Sequence, residues 1–408
     1  MDKKAIYLAN IKSLTFKNFE NVKDITFINE DKSVYPWTIF LGNNGTGKTN
    51  FLKIVSYLEA EDLSLQSNEE IGGSSTIFVP KYLKEEHVIT TLLYYNNDKL
   101  EWESDKINNE ASRTGQVEDA FYNFKVYAYG VNRRSSKSTK LSTQEGADNS
   151  ETLFNSDFTL INLNEWLLQT DYAVKNGQES AKKRLELIKT VITGKVFPEL
   201  QDFRFHTNEQ LNNFVEFKTE EGWFKLDDLA YGYQSTLSWI IDFCKKMFDR
   251  YPKSDNPLKE PAIVLIDEID LHLHPEWQRN ITRILSEIFP KTQFIATTHS
   301  PLVVQSLEEA NVYVLNKEKS KNVSISRMPN KTFSGWSIEE ILNKVMGLKS
   351  KVKSDEYLNL IENFDRGLDT SDFNKSKEAF DKLMDILPEK DSQKRVLQMQ
   401  IKQFPEAR

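Results

Sequence analysis

Two hydrophobic periods succeed one another along the chain, and together they predict an α/β protein. Residues 11–29 alternate around Leu14, Phe16, Phe19 and Ile25, as two short strands joined at residues 18–23 would. The apolar run Trp37-Thr38-Ile39-Phe40-Leu41 predicts a buried strand, and Phe51, Leu52, Ile54, Val55 and Leu58 then recur at helical spacing. Strands are predicted again at 88–95 and 124–129. Between 160 and 197, Leu160, Leu163, Trp166 and Leu167, then Leu185, Ile188 and Ile192, form helical stripes. Residues 263–266 are apolar without a break, the pattern of a parallel strand covered on both faces. Ile281, Ile284, Leu285 and Ile288 share a helix face, and 294–297 is the next strand. Beyond residue 300 one or two strands (312–315, 323–326) give way to helices. Ser337-Ile338-Glu339-Glu340 is a capping box, and the stripe Phe380, Leu383, Met384, Leu387 stops at Pro388. Polar stretches near 62–75 and 103–117 interrupt the pattern. Residues 135–150, whose one large apolar residue is Leu141, predict a mobile loop.

The first buried strand and its helix enclose Gly42-Asn43-Asn44-Gly45-Thr46-Gly47-Lys48-Thr49-Asn50, a complete phosphate-binding loop in the context it requires. Its glycines let the backbone curl so that N–H groups point at a phosphate beside a helix N-terminus. Lys48 is expected to reach the β- and γ-phosphates, and the Thr49 hydroxyl to join a Mg²⁺ shell. The chemistry implied is binding of ATP or GTP.

Four further segments extend this site. Asp267-Glu268 ends the 263–266 strand, where Asp267 can hold Mg²⁺ and Glu268 can polarise the attacking water. His299, in Thr297-Thr298-His299-Ser300-Pro301 at the next strand's end, can donate to the γ-phosphate. Leu229-Ala230-Tyr231-Gly232-Tyr233-Gln234-Ser235 precedes a helical stripe and looks like a degenerate signature loop. Ala230 stands where such loops carry serine, and Ser235 or a tyrosine hydroxyl is a candidate substitute. Asp270-Leu271-His272-Leu273-His274-Pro275 reads as a D-loop better than as a zinc site, because His-x-His lacks a third ligand of sure position.

Composition narrows the function classes. The 39% apolar fraction, with 25 Phe, 15 Tyr and 7 Trp in 408 residues, supports a sizeable core. Fifty-three basic against 61 acidic side chains give −8, so no overall basic footprint for nucleic acid exists. The local pairs Arg133-Arg134 and Lys182-Lys183-Arg184 read by themselves as solvated faces. Cys244 stands alone, which excludes an internal disulfide. The polar start and the lack of a long apolar run predict a cytoplasmic protein with no membrane partner.

The order of phosphate loop, signature loop, acid pair, D-loop and switch histidine resembles that of ABC and SMC-type ATPase heads. Lys48 and Asp267 lie too far apart for a Ras-like fold, and no heptads fill the gap. The resemblance rests also on Tyr129-Gly130-Val131-Asn132-Arg133, and Glu165-Trp166-Leu167-Leu168-Gln169 and Phe333-Ser334-Gly335-Trp336-Ser337 narrow it. They make the chain similar, over roughly 10–350, to the compact ATPases of bacterial defence near the overcoming-lysogenisation-defect group, and among these to Septu anti-phage ATPase subunits. That resemblance implies ATP and Mg²⁺ as cofactors, and Gly232, Tyr233, Gln234, Ser235 and Asp270 facing nucleotide across a head-to-tail dimer. It also implies a larger homo-oligomer, a small HNH nuclease as partner, and DNA reached through the complex. The expected architecture is an α/β ABC/SMC-type head over 1–300, with a helical insertion at about 151–200. A mainly helical region over 301–408 would dock a partner or sister subunit. Five scattered histidines offer no HNH site, and Asp369 and Asp372 do not make a TOPRIM pattern. A RecF-like DNA clamp, a self-contained nuclease and a sibling defence system with another effector are the alternatives.

Overall fold

The structure is a computed structural model that describes residues 6–16, 19–30, 33–56, 60–63, 77–80, 88–95, 98–104, 111–112, 125–136, 149–193, 196–318, 322–329, 332–347, 353–389 and 391–404. It divides into two compact units, Met1–Ile338 and Glu339–Arg408. Strands of the first unit are β1 (Ile6–Phe16), β2 (Phe19–Thr26), β3 (Trp37–Gly42), β4 (Ala60–Leu63), β5 (Ile77–Pro80), β6 (Val88–Tyr95), β7 (Asp98–Ser104) and β8 (Ala111–Ser112). They continue with β9 (Val126–Tyr129), β10 (Asp202–Thr207), β11 (Asn213–Thr219), β12 (Gly222–Lys225), β13 (Ala262–Ile266), β14 (Thr292–Thr297), β15 (Ala310–Lys317) and β16 (Val323–Arg327). Its helices include α1 (Lys48–Ser56), α2 (Glu151–Phe154), α3 (Leu163–Lys175), α4 (Glu179–Ile192), α5 (Tyr231–Arg250), α6 (Pro275–Ile288) and α7 (Pro301–Gln305).

The site is organised by a six-stranded sheet of order β16-β15-β3-β14-β13-β9, parallel except for β16. Every residue of β3, β13, β14 and β9 is buried, as expected for strands covered on both faces. Phe51 of α1 packs on Phe40 of β3 at 4.2 Å between ring centroids, so the helix is fixed over the strand that launches it. Truncating such a fully buried Phe to Ala costs about 3–5 kcal/mol. Because the strands run parallel, the loops after β3, β14, β13 and β9 emerge side by side at one sheet edge. Open α/β sheets bind ligands at that carboxyl edge.

A second, antiparallel sheet, β2-β1-β6-β7-β8, is tied to the first through polar bonds in the core. The buried Gln293 amide of β14 accepts from Leu8 N at 3.0 Å and donates to Leu8 O at 2.8 Å. Tyr313 of β15 meets both Thr26 N and Thr26 O through its hydroxyl.

Three sequence expectations shift. Phe16 pairs directly with Phe19, so the connection of β1 and β2 is shorter than the 18–23 join read from the alternation. β15 lies against β3 inside the six-stranded sheet, which carries the first unit past residue 300 to Ile338. Residues 202–225, given no element in the sequence reading, form the antiparallel sheet β10-β11-β12, with Phe203, Val215 and Phe217 on its buried face. The helices expected between 160 and 197 are α3 and α4. Leu58, Leu141 and most of the predicted loop at 135–150 lie outside the described residues.

The second unit holds α8 (Asp355–Asp369), α9 (Phe373–Ile386) and α10 (Ser392–Ile401). Each is opened by an N-cap oxygen, from Ser354, Asp372 and Asp391 respectively. Phe364, Ala379, Leu383, Leu397 and Ile401 form its core. A Cβ at Gly367 would meet Ser376 Oγ at 2.2 Å, so α8 and α9 cross closely there. The capping box at 337–340 opens only one turn before a π-helical turn, Ile341–Val345.

Candidate nucleotide-binding site

Gly45 (φ 76°) and Gly47 (φ 92°) take left-handed conformations that glycine adopts without penalty, and the loop folds back on itself. Thr46 Oγ1 donates to Asn43 O at 2.8 Å, and the buried Lys48 donates to Gly42 O at 2.9 Å and Asn43 O at 3.2 Å. An ammonium has three donors, so one remains for a ligand. Burial lowers the Lys48 pKa from 10.5, against the opposing pull of Asp267, Glu268 and Asp270. Over the loop opens a cleft of about 420 Å³, lined by Asn44, Gly45, Gly47, Lys48, Thr49, Asn50, Glu268, Phe19 and Val323. The sequence reading placed Phe19 and Val323 in strands and missed them as cleft walls. The missing signal is tertiary: a Cβ on Gly47 would come within 3.0 Å of Phe19.

Asp267 is held by two hydroxyls, one from the first turn of α1 and one from the end of β14. Thr49 donates to its Oδ2 at 2.6 Å and Thr297 to its Oδ1 at 2.6 Å. Thr297 Oγ1 also accepts from Glu268 N at 2.7 Å. Glu268 has φ 50°, a left-handed conformation that costs a non-glycine residue on the order of 1 kcal/mol.

Arg133 is the largest departure from the sequence reading. It is buried (3% exposed) rather than solvated: Nε donates to Gly130 O at 2.8 Å, and one Nη donates to the carbonyls of Asp267 and Glu268, the latter at 2.7 Å. Burial lowers its pKa to about 10, opposed by Asp267, Asp270 and Glu268. Arg134, its neighbour, is solvated and donates to Tyr231 Oη at 3.2 Å.

Asp270 accepts from Thr298 Oγ1 at 2.5 Å and from His299 N at 3.3 Å, which joins the D-loop segment to the end of β14. His299 Nε2 is buried and has no hydrogen-bond partner among the described residues. Burial and the charge of Lys48 lower the His299 pKa from 6.5, against Asp270, Glu268 and Asp267. A polar ring atom left without a partner beside a lysine suits an anionic group. With the remaining Lys48 donor, the glycine curl and the Thr49–Asp267 pair, it fits a Mg-triphosphate.

The signature-like segment starts α5 with Ala230 as N-cap, which supplies no capping side chain. A Cβ on Gly232 would lie 2.4 Å from His272 O, so this glycine is required by a close approach to the D-loop. Tyr231 meets the His272 ring edge-on at 4.6 Å, Tyr233 meets Trp277 at 4.5 Å, and Gln234 Nε2 donates to Leu229 O at 2.7 Å. Ser235 is buried, Tyr233 is half-buried and Tyr231 is exposed, so of the three candidate substitutes Tyr231 is the most accessible. His274 Nδ1 accepts from Glu276 N at 3.4 Å as the N-cap of α6. Among the described residues no three His, Cys, Asp or Glu side chains form a metal-holding group, and no helix is long and apolar enough to cross a membrane.

Residues 196–305 match the family described as "AAA domain, putative AbiEii toxin, Type IV TA system". The chain is 27% identical to Septu protein PtuA of Bacillus thuringiensis over 377 residues, covering 90% of this chain and 92% of that protein. It is 29% identical over 375 residues to Septu protein PtuA of Bacillus mycoides (strain KBAB4), covering 88% of this chain and 47% of that longer protein. The "Retron Ec83 probable ATPase" of Escherichia coli is 36% identical over 137 residues, 33% of this chain and 24% of that one. Among solved structures, an SMC head bound to the C-winged helix domain of ScpA aligns with a TM-score of 0.43 at 15% identity, over 79% of this chain and 97% of that one. The resemblance read from the motifs therefore stands: along nearly its whole length this chain is similar to the Septu PtuA proteins.

Proposed function

We propose that this chain binds ATP and hydrolyses it, and that hydrolysis controls a separate HNH nuclease in an anti-phage complex. One observation supports the reading above all others: Lys48, Thr49 and Glu268 line one cleft, with Asp267 bonded to Thr49 and His299 beside Lys48, all from the segments that follow β3, β13 and β14. Lys48 and the loop amides bind the phosphates, and Glu268 orients and deprotonates the attacking water. His299 donates to the γ-phosphate. Thr49 and Asp267 would hold Mg²⁺, which supplies charge neutralisation on the phosphates when bound. Gly232, Tyr233, Gln234, Ser235 and Asp270 belong to the surface that meets nucleotide on a second copy in a head-to-tail dimer. Similarity to PtuA proteins supports the defence role, and the chain's own histidines, scattered through the sequence, make no HNH cluster.

The test is purification from the native host with Mg-ATP, with partners identified by mass spectrometry and phosphate release measured on the complex. A small HNH protein in fixed ratio and turnover abolished by Lys48→Ala are expected. Nucleotide affinity retained in Lys48→Ala, or recombination proteins in place of a nuclease, would sink the reading.

A further inference from the structure

Arg133 lies outside every motif to which the ATPase reading gives a role, yet two of its three hydrogen bonds go to the Asp267–Glu268 turn. We propose that Arg133 is a positioning residue for hydrolysis: it fixes the Asp267–Glu268 peptides so that the Glu268 carboxylate is presented to the cleft. This rests on the ATPase reading above.

Glu268 is held from both sides. Its N–H donates to Thr297 Oγ1 at 2.7 Å, and its carbonyl accepts from Arg133 at 2.7 Å. The preceding carbonyl, that of Asp267, accepts from the same guanidinium. With the peptide pinned in a left-handed conformation (φ 50°), the side chain remains to line the cleft. Arg133 is itself anchored through Nε to Gly130 O, immediately after β9. β9 pairs in register with β13, Tyr129 opposite Ile266, and Tyr129 O accepts from Asp267 N at 2.8 Å. The neighbouring strand therefore delivers both a backbone acceptor and a guanidinium to one turn. The rigid guanidinium plane ties the nitrogen anchored on Gly130 O to the one that meets both turn carbonyls, a fixed spacing that the single rotating ammonium of lysine does not supply.

The experiment places Arg133→Lys in the wild-type and the Glu268→Gln backgrounds, and measures ATP turnover and the affinity of a fluorescent ATP analogue. In the wild-type background kcat should fall roughly 10–100-fold with KM and analogue affinity within about threefold, as for a misplaced catalytic group. In the Glu268→Gln background residual single-turnover hydrolysis should change by less than about twofold, because the group Arg133 positions is already gone. Equal losses in both backgrounds, unchanged kcat, or lost nucleotide binding would each overturn the assignment and leave Arg133 a folding residue or a bystander. A wild-type chain that binds ATP without hydrolysing it, alone or in its native complex, overturns the ATPase reading itself and this role with it.

Discussion

Thr49 donates its hydroxyl to Asp267 across 2.6 Å, joining residues 218 positions apart. One comes from the helix that follows β3 and the other from the end of β13, so the contact exists only because β14 sets these strands two places apart in the sheet. In the proposed site the pair would supply two oxygens to a hard divalent cation. Thr49→Ala and Asp267→Asn should each raise the Mg²⁺ concentration for half-maximal ATP turnover by at least about tenfold. Metal titration at saturating ATP measures this, and an unchanged Mg²⁺ requirement in both variants would remove the pair from the metal site.

Glu268 lines the cleft beside Lys48 and Thr49. Replacing it by Gln keeps shape and hydrogen bonding but removes the base, so turnover should fall by about 10²–10⁴-fold. Nucleotide affinity should hold or tighten, and the ATP-bound oligomer should accumulate. Phosphate release and size measurements with ATP read both, and wild-type turnover in Glu268→Gln would exclude the residue as base.

Gly232 carries a consequence of its closeness to His272. An added methyl would sit 2.4 Å from a backbone carbonyl, which cannot swing aside as a side chain would. Gly232→Ala should therefore cost roughly 1–3 kcal/mol of stability and displace the start of α5 from the D-loop. Binding of a fluorescent ATP analogue at the chain's own phosphate loop should survive while turnover falls by at least about tenfold. A variant with wild-type melting and turnover would show that the close approach relaxes freely.

His299 predicts a pH dependence whose sign follows from its environment. Its folded pKa lies below the ordinary 6.5, first through burial and then through Lys48. The unfolded chain therefore takes up the proton more readily. The stability contributed by the neutral ring is fully present above about pH 6.5 and is lost as pH falls below that value toward the folded pKa. A bound triphosphate places negative charge nearby and should raise the pKa. Histidine NMR titrations with and without a non-hydrolysable ATP analogue would show this, with the resonance assigned by His299→Gln. A downward shift on nucleotide binding would contradict the proposed contact.

Much of the candidate site was legible before any tertiary structure. Glycines at Gly45 and Gly47 are demanded by local backbone geometry, and an apolar strand ending in Asp267-Glu268 is a local pattern too. The order of these motifs along the chain suffices to bring them to one sheet edge, because parallel strands all end on the same side. Other features had only ambiguous local signals. Phe203, Phe205, Val215 and Phe217 alternate as strands do, but hairpin pairing decides whether such alternation becomes β10 and β11.

The sequence by itself determined the glycine-rich loop, the Asp267-Glu268 pair at a strand's end, the place of His299 after the next strand and the strand–helix succession, since each depends on residues adjacent in the chain. Tertiary structure alone decided that Arg133 is buried against the Asp267–Glu268 turn while Arg134 beside it is solvated. It also decided that Phe19 closes the cleft and that β15 completes the sheet past residue 300. Burial of a charge or a ring depends on which distant segments pack around it. No short-range period in the sequence carries that information.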